Sequence, residues 1–154
     1  MVLATAMLAA CGALPGAAPP PTPVPPPPHV FVIVMENHGP AQILGNPEAP
    51  YLNELASTYA VADEYFAVSH PSLPNYLALV GGDTFGVTSN CTDCVVDGPN
   101  LADALLAHGK TWKSYQEDLP SPCFLGASSD NYVLRHNPFL YFQSIRDDPA
   151  RCGR

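Results

Sequence analysis

The segment His29-Val30-Phe31-Val32-Ile33-Val34-Met35-Glu36-Asn37-His38-Gly39-Pro40 runs through six apolar side chains and then breaks into an acid, an amide and a turn. Four of those six positions, 30–35, are Val or Ile, and none is polar, so the run reads as a strand buried on both faces rather than an amphipathic edge. In open α/β sheets, ligands gather just beyond the carboxyl ends of such strands. Glu36 sits at that point, and a carboxylate there needs a cation, a donor network or water, because an unpaired buried charge is costly. The competing reading is a solvated acid leading into an Asn-His-Gly-Pro turn.

Working outward, the front of the chain differs in kind from the rest. No Asp, Glu, Lys or Arg precedes Glu36. Residues 1–18 form an apolar leader in which Leu8-Ala9-Ala10-Cys11-Gly12 resembles the lipobox of bacterial lipoproteins, which implies cleavage before Cys11 and lipidation of its thiol. An ordinary secretory signal ending near Ala17 or Ala18 is the alternative. Residues 19–28 hold eight prolines in ten positions, the composition of an extended polyproline II spacer that holds a body away from a surface. The body begins at His29. Export is expected on these grounds, with membrane contact only through a lipid anchor. A spanning helix needs about 20 consecutive apolar residues, and Pro15 interrupts the run.

The whole chain has 154 residues, 19 of them proline, and a formal net charge of −8. Its six Lys and Arg are scattered singly, so no basic stripe exists to neutralise phosphates, and nucleic acid is excluded as a partner. An acidic surface does little to draw in an anionic substrate. A phosphate site would therefore depend on a metal or on local backbone donors. Apart from Cys11, the cysteines are Cys91, Cys94, Cys123 and Cys152. Four cysteines in an exported body allow three disulfide connectivities, and Cys91–Cys94 with Cys123–Cys152 is the pairing favoured here. Cys91-Thr92-Asp93-Cys94 also has the spacing of half a zinc ribbon or of a thiol-disulfide exchange site. No second CxxC follows, and the flanks are loop-like.

Past the first strand, Leu52, Leu55, Ala56 and Tyr59 share one helical face with proline at its start, and residues 61–68 read as a second strand. Strand, helix and strand make a βαβ unit, which predicts a parallel sheet with a right-handed crossover. Ser69-His70-Pro71-Ser72-Leu73-Pro74-Asn75-Tyr76 then opens an apolar helix stopped by Gly81-Gly82. Ser72 stands at that helix start, where serine commonly serves as an N-cap and where orphan amides can also hold a phosphoryl oxygen. A third helix spans 100–109, capped by Asn100, stopped by Gly109, with Leu101, Ala104 and Leu105 facing inward. Residues 111–117 alternate like a half-exposed strand. Asp147 and Asp148 belong to a solvated helix end before the Pro149 break.

Taken together, Met35-Glu36-Asn37-His38, Ser69-His70-Pro71-Ser72-Leu73-Pro74-Asn75-Tyr76, Asn100-Leu101-Ala102-Asp103 and Arg135-His136-Asn137-Pro138-Phe139 resemble the bacterial phosphoesterase family of acid phosphatases and phospholipases C. The resemblance covers about His29 to Cys152. It implies an α/β, alkaline-phosphatase-like fold, with a central, mostly parallel sheet and flanking helices, and hydrolysis of a phosphate-ester substrate. It also implies that Glu36 and Asn37 supply oxygen ligands to a divalent metal cation that Ser72 shares. Ser72 matches the nucleophile that becomes phosphoserine, and Asn75 the amide that donates to a phosphoryl oxygen.

Serine alone is a weak nucleophile at neutral pH, and metal coordination lowers its hydroxyl pKa, so a ligand pair and a serine are useful together. His136 is matched as a catalytic residue that hands a proton to the leaving alkoxide or lines the pocket, and Asn137 as a substrate contact. A hydrogen-bonded loop histidine is the other reading of His136. Turn or supporting roles suit His38 and His70 better than ligation.

Family members are longer, and their further acidic and histidine ligands come from strand ends C-terminal to the matched segments. The expectation is therefore an N-terminal part of a phosphoesterase, weakly active or inactive alone. The alternative is a lipid-anchored, non-catalytic binding module displayed on the proline stalk.

Overall fold

Proline opens both helices of the first of two compact units, Met1–Ala60, where its fixed φ is already helical and its missing N–H would have had no partner. The computed structural model describes residues 29–154; the leader, the proline linker and the lipidation site expected at Cys11 lie outside the described residues. In this unit α1 is Pro40–Ile43 and α2 is Pro50–Thr58. The α1–α2 connection is organised by Asn53. Its Oδ1 accepts from Gly45 N at 2.6 Å, while its Nδ2 donates to the carbonyls of Ile43 at 2.9 Å and Ala49 at 2.8 Å. Leu52, Leu55 and Ala56 lie on the half-buried face of α2 as expected, but Tyr59, just past the helix end, is exposed.

Residues 30–35 correct the first expectation. They are extended but pair with no strand among the described residues, and their side chains range from 48% exposed at Val34 to 83% at Phe31. A strand buried on both faces requires neighbours on both edges and a layer above and below. None of these is supplied within the described part of this unit.

The second unit, Val61–Arg154, holds the core. Its first helix, α3 (Ser72–Gly81), buries Leu73, Leu77 and Val80 at the helical spacing of one face, and Gly82 ends it in the left-handed conformation at φ 78°. Helix α4 (Leu101–Ala107) starts where expected, with the Asn100 side chain accepting from Asp103 N at 3.1 Å. Its inward face is rotated from the one expected: Ala102 is fully buried while Leu101 and Ala104 are exposed. The rotation turns Asp103 toward Arg151, with which it forms an ion pair, and toward Ser144 Oγ at 3.2 Å. A charged anchor has overridden the apolar pattern.

Two short strands, β1 (Ser128–Ser129) and β2 (Tyr132–Val133), form an antiparallel hairpin. Two 3-10 turns follow, Leu134–His136 and Pro138–Tyr141, then α5 (Gln143–Arg146) and α6 (Pro149–Cys152). Asp147 ends α5, as the proline break suggests, and Asp148 caps α6 by accepting from Ala150 N at 2.8 Å.

The expected central parallel sheet and βαβ unit are not present among the described residues. Parallel pairing is confined to an isolated bridge between Val96 and Phe142, and residues 61–68 are irregular and mostly exposed. Residues 111–117 keep the alternation of half-buried and exposed side chains but join no ladder; Ser114 N instead donates to Arg154 O at 2.9 Å.

The core is largely aliphatic and carries a small set of aromatic rings. Phe142 meets Phe85 edge-on at 5.4 Å, and Tyr132 and Tyr141 are 2% and 1% exposed. Burial pushes the Tyr141 hydroxyl up to about 12, with Tyr132 adding to the rise, and that hydroxyl donates to Cys91 O at 2.9 Å. No helix among the described residues is long and apolar enough to cross a membrane.

Candidate functional site

In the first unit, the apolar segment ends because Asn37 adopts the left-handed conformation at φ 66°, which asparagine tolerates better than most residues. The turn folds the Asn37 amide back, and its Nδ2 donates to Glu36 Oε1 at 3.0 Å. His38 Nδ1 lies 3.3 Å from Glu36 O, a turn role for that ring, and Gly39 N donates to Gln42 Oε1 at 2.7 Å to start α1. Glu36 is half-buried and Asn37 exposed. A carboxylate and an amide oxygen suit a hard divalent cation, which takes six or more oxygen ligands. Among the described residues no group of three or more His, Cys, Asp or Glu is gathered to hold a metal. The donor chemistry of the pair fits, and the rest of a coordination shell has to come from elsewhere.

In the second unit, the entry to α3 is built around Asn75. Its Oδ1 accepts from the amides of Val68 at 2.9 Å and Ser69 at 3.0 Å, and its Nδ2 donates to Ser69 O at 2.8 Å and Pro71 O at 3.0 Å. The side chain thereby binds the approach loop, including the cis His70–Pro71 peptide, onto the first turn of the helix. Both amide protons are directed at backbone carbonyls. Asn75 in this arrangement positions the loop, where the resemblance implies that it touches a phosphoryl oxygen.

Ser72 is not the cap of α3. Pro71 occupies that position, Ser72 is the first helical residue, and no side-chain cap bond is made. The amide of the second helical residue, Leu73, donates to Asn90 Oδ1 at 3.0 Å, so that orphan donor is satisfied from outside the helix. Half-buried Ser72 is therefore relieved of the structural duty that most often explains a serine at a helix start.

Tyr76 lies one turn along from Ser72, on the same helical face. Its ring stacks on His136, with centroids 5.1 Å apart and planes 24° from parallel. The 3-10 turn Leu134–His136 thus brings the imidazole to the side of α3 that carries Ser72. Asn137 is placed differently: it is 5% exposed, and its Nδ2 donates to the Tyr132 hydroxyl at 3.4 Å. That bond opposes the rise that burial imposes on the Tyr132 pKa. Asn137 joins the two 3-10 turns from within the core and also forms part of the wall of a pocket beside Phe139 and Leu140.

Cys91–Cys94 and Cys123–Cys152 are bonded, the pairing favoured from the sequence. The zinc-ribbon reading of Cys91 and Cys94 is thereby set aside. A pocket of ≈ 280 Å³ between residues 112–122 and 137–154 includes Trp112, Gln116, Phe139 and Ile145 in its wall, but not Ser72, Asn75 or His136. Neither Tyr76 nor Asn90 is a candidate site residue on the sequence alone. Tyr76 carries a local signal, its four-residue spacing from Ser72, whereas Asn90 meets α3 from 17 residues away and carries none.

Residues 44–151 match the model of the Phosphoesterase family, a span that contains Ser72, Asn75, His136 and Asn137 but not Glu36 or Asn37. A phosphatidylinositol-3-phosphatase of Mycobacterium tuberculosis is 40% identical over 148 residues, 94% of this chain and 49% of that protein. A phosphate-repressible acid phosphatase of Penicillium chrysogenum is 38% identical, over 65% of this chain and 26% of its own length. An acid phosphatase of Aspergillus fumigatus is likewise 38% identical, over 63% of this chain and 24% of its own length. The chain thus spans about half the length of the first of these relatives and about a quarter of the others. No solved structure matches it. With more than half of its residues matched and Ser72 at the mouth of a helix it does not cap, the chain belongs to the phosphoesterase family.

Proposed function

We propose that this chain supplies the nucleophile and part of the cation site of a metal-dependent phosphatase that hydrolyses phosphate monoesters through a phosphoserine. The observation that carries the reading is the α3 entry: a half-buried serine with no capping duty, at a helix start whose dipole favours anions. Phosphatase is the word shared by the names of the relatives, which favours a monoester over a diester.

In this reading Ser72 gives its hydroxyl proton to solvent and its Oγ attacks phosphorus. The new Oγ–P bond forms as the bond from phosphorus to the ester oxygen breaks, and the departing alkoxide takes a proton from His136, which solvent then restores. Water then cleaves the phosphoserine, releasing inorganic phosphate and restoring the hydroxyl. Glu36 and Asn37 would hold a divalent cation, which when bound lowers the pKa of a coordinated hydroxyl and offsets phosphoryl charge. Asn75 and Tyr76 act indirectly, the first by holding the approach loop and the second by seating the His136 ring.

The activity is that of the intact protein, and the 154-residue chain by itself is expected to turn over poorly. Glu36 and Asn37 offer three side-chain oxygens at most toward a shell of six or more, and residues 30–35 have their apolar faces uncovered. Export is part of the same proposal, since two disulfides persist only in an oxidising compartment, with a lipid at Cys11 and the proline segment as a stalk.

The test is Ser72→Ala in the intact protein, assayed on p-nitrophenyl phosphate, with acid-quench trapping of the phosphoenzyme. Turnover is expected to fall by about three orders of magnitude or more, with the trapped species lost and the melting temperature kept. Normal turnover with a stability loss of about 1 kcal/mol would leave Ser72 as a helix-start residue only.

A further inference from the structure

The first turn of α3 has few amides to offer. Pro74 has no N–H, so only Ser72 and Leu73 carry an orphan donor among the first three helical positions. Leu73 N is bound by Asn90 Oδ1 at 3.0 Å. Asn90 is anchored through its neighbour: Cys91 is bridged to Cys94, and Cys91 O accepts from the buried Tyr141 hydroxyl at 2.9 Å. The disulfide loop is thus pinned to the core at one end and to the mouth of α3 at the other.

We infer that Asn90 is a positioning residue for Ser72: by accepting the Leu73 amide it sets the direction of the first helical turn, and it leaves the amide of Ser72 as the backbone donor facing an incoming phosphoryl oxygen. This rests on Ser72 being the nucleophile. The amide of the residue that follows Ser72 is held from 17 residues away, and Ser72 Oγ makes no cap bond of its own. Nucleophile placement is steep in its effect, since a misplacement of about 1 Å can cost about 100-fold in rate. Asn90 therefore acts on the rate of the chemical step more than on substrate binding.

The test uses the intact protein and compares Asn90→Ala, Asn90→Asp and Ser72→Ala for kcat, KM and melting temperature on p-nitrophenyl phosphate. Asn90→Ala is expected to lower kcat by about 10- to 100-fold with KM little changed, because the contact is to the enzyme's own backbone and not to substrate. Asn90→Asp keeps an acceptor of the same reach and is expected to recover most of the lost kcat. A variant Asn90→Ala that melts lower yet turns over at the normal kcat would overturn the inference and reduce Asn90 to a cap; so would equal kcat losses in the Ala and Asp variants. Should Asn90→Ala fail to fold, Asn90→Gln, which displaces the amide oxygen by one methylene, is read against the same two outcomes. Full turnover in Ser72→Ala sinks both this inference and the nucleophile reading, whereas an inactive Ser72→Ala beside a fully active Asn90→Ala sinks this inference alone.

Discussion

Of two apolar stretches of this chain, the one without a single polar residue is the one left exposed. Residues 30–35 remain extended and exposed, Val32 at 70% and Ile33 at 82%, while in α3 Leu73 and Leu77 are both 0% exposed. The difference lies in what each conformation needs. A helix satisfies its backbone hydrogen bonds within itself and has to find a partner surface for one stripe only. In α3 that partner is local to the unit, made by the two 3-10 turns and α4, which bring Leu134, Leu140 and Ala102 into the same core. A strand apolar on both faces satisfies nothing alone. Its ladder and both of its covering layers must come from other segments.

The largest effect that probes this contrast is Leu77→Ala. With the side chain fully buried in the second unit, the variant of the 154-residue chain is expected to lose about 2 to 5 kcal/mol in a denaturant melt. A loss under about 1 kcal/mol would show that the core of that unit is not packed as described.

A smaller effect is expected from alkali. The Tyr141 pKa is raised from 10.0 to about 12 by burial, so above pH 10 the unfolded chain gives up this proton while the native chain retains it. The unfolded state then binds fewer protons, and stability falls as pH rises: the contribution is whole below pH 10 and diminishes by about 2 kcal/mol on reaching pH 12. Tyr141→Phe is expected to flatten that part of the pH profile; an unchanged profile would place the tyrosine in water.

The smallest effect sharpens the other half of the comparison. Val32→Ala is expected to change the stability of this same chain by less than about 0.5 kcal/mol, as at other exposed positions. A loss of about 2 kcal/mol, or slow amide exchange across residues 30–35, would mean that this segment is buried after all.

Much of the second unit was legible because its signals are local. Asn100 as a cap, Gly82 as a helix stop and the helical span of α3 all follow from interactions spanning a few residues, whereas α6 after Asp148 was not anticipated. The candidate site divides along the same line. Ser72 could be picked out because a serine at a helix start before an apolar face is visible in sequence. The engagement of Asn75 with Val68 and Ser69, the burial of Asn137 beneath Tyr132 and the contact of Asn90 with Leu73 could not be, because each depends on where the loops close. The inward face of α4 was misread for a related reason: an apolar count cannot anticipate that Asp103 will find Arg151 on a later helix.

By itself the sequence determined the helices α2, α3 and α4 with the Asn100 cap, the favoured disulfide pairing and the family, since these rest on short-range backbone chemistry, cysteine parity in an exported chain, and motifs in fixed order. Only the tertiary structure decided which apolar segments are covered, which face of α4 turns inward, and that a distant asparagine takes the amide next to Ser72. Burial and side-chain partnership are properties of surfaces brought together across the chain, and no local pattern specifies the surface that arrives.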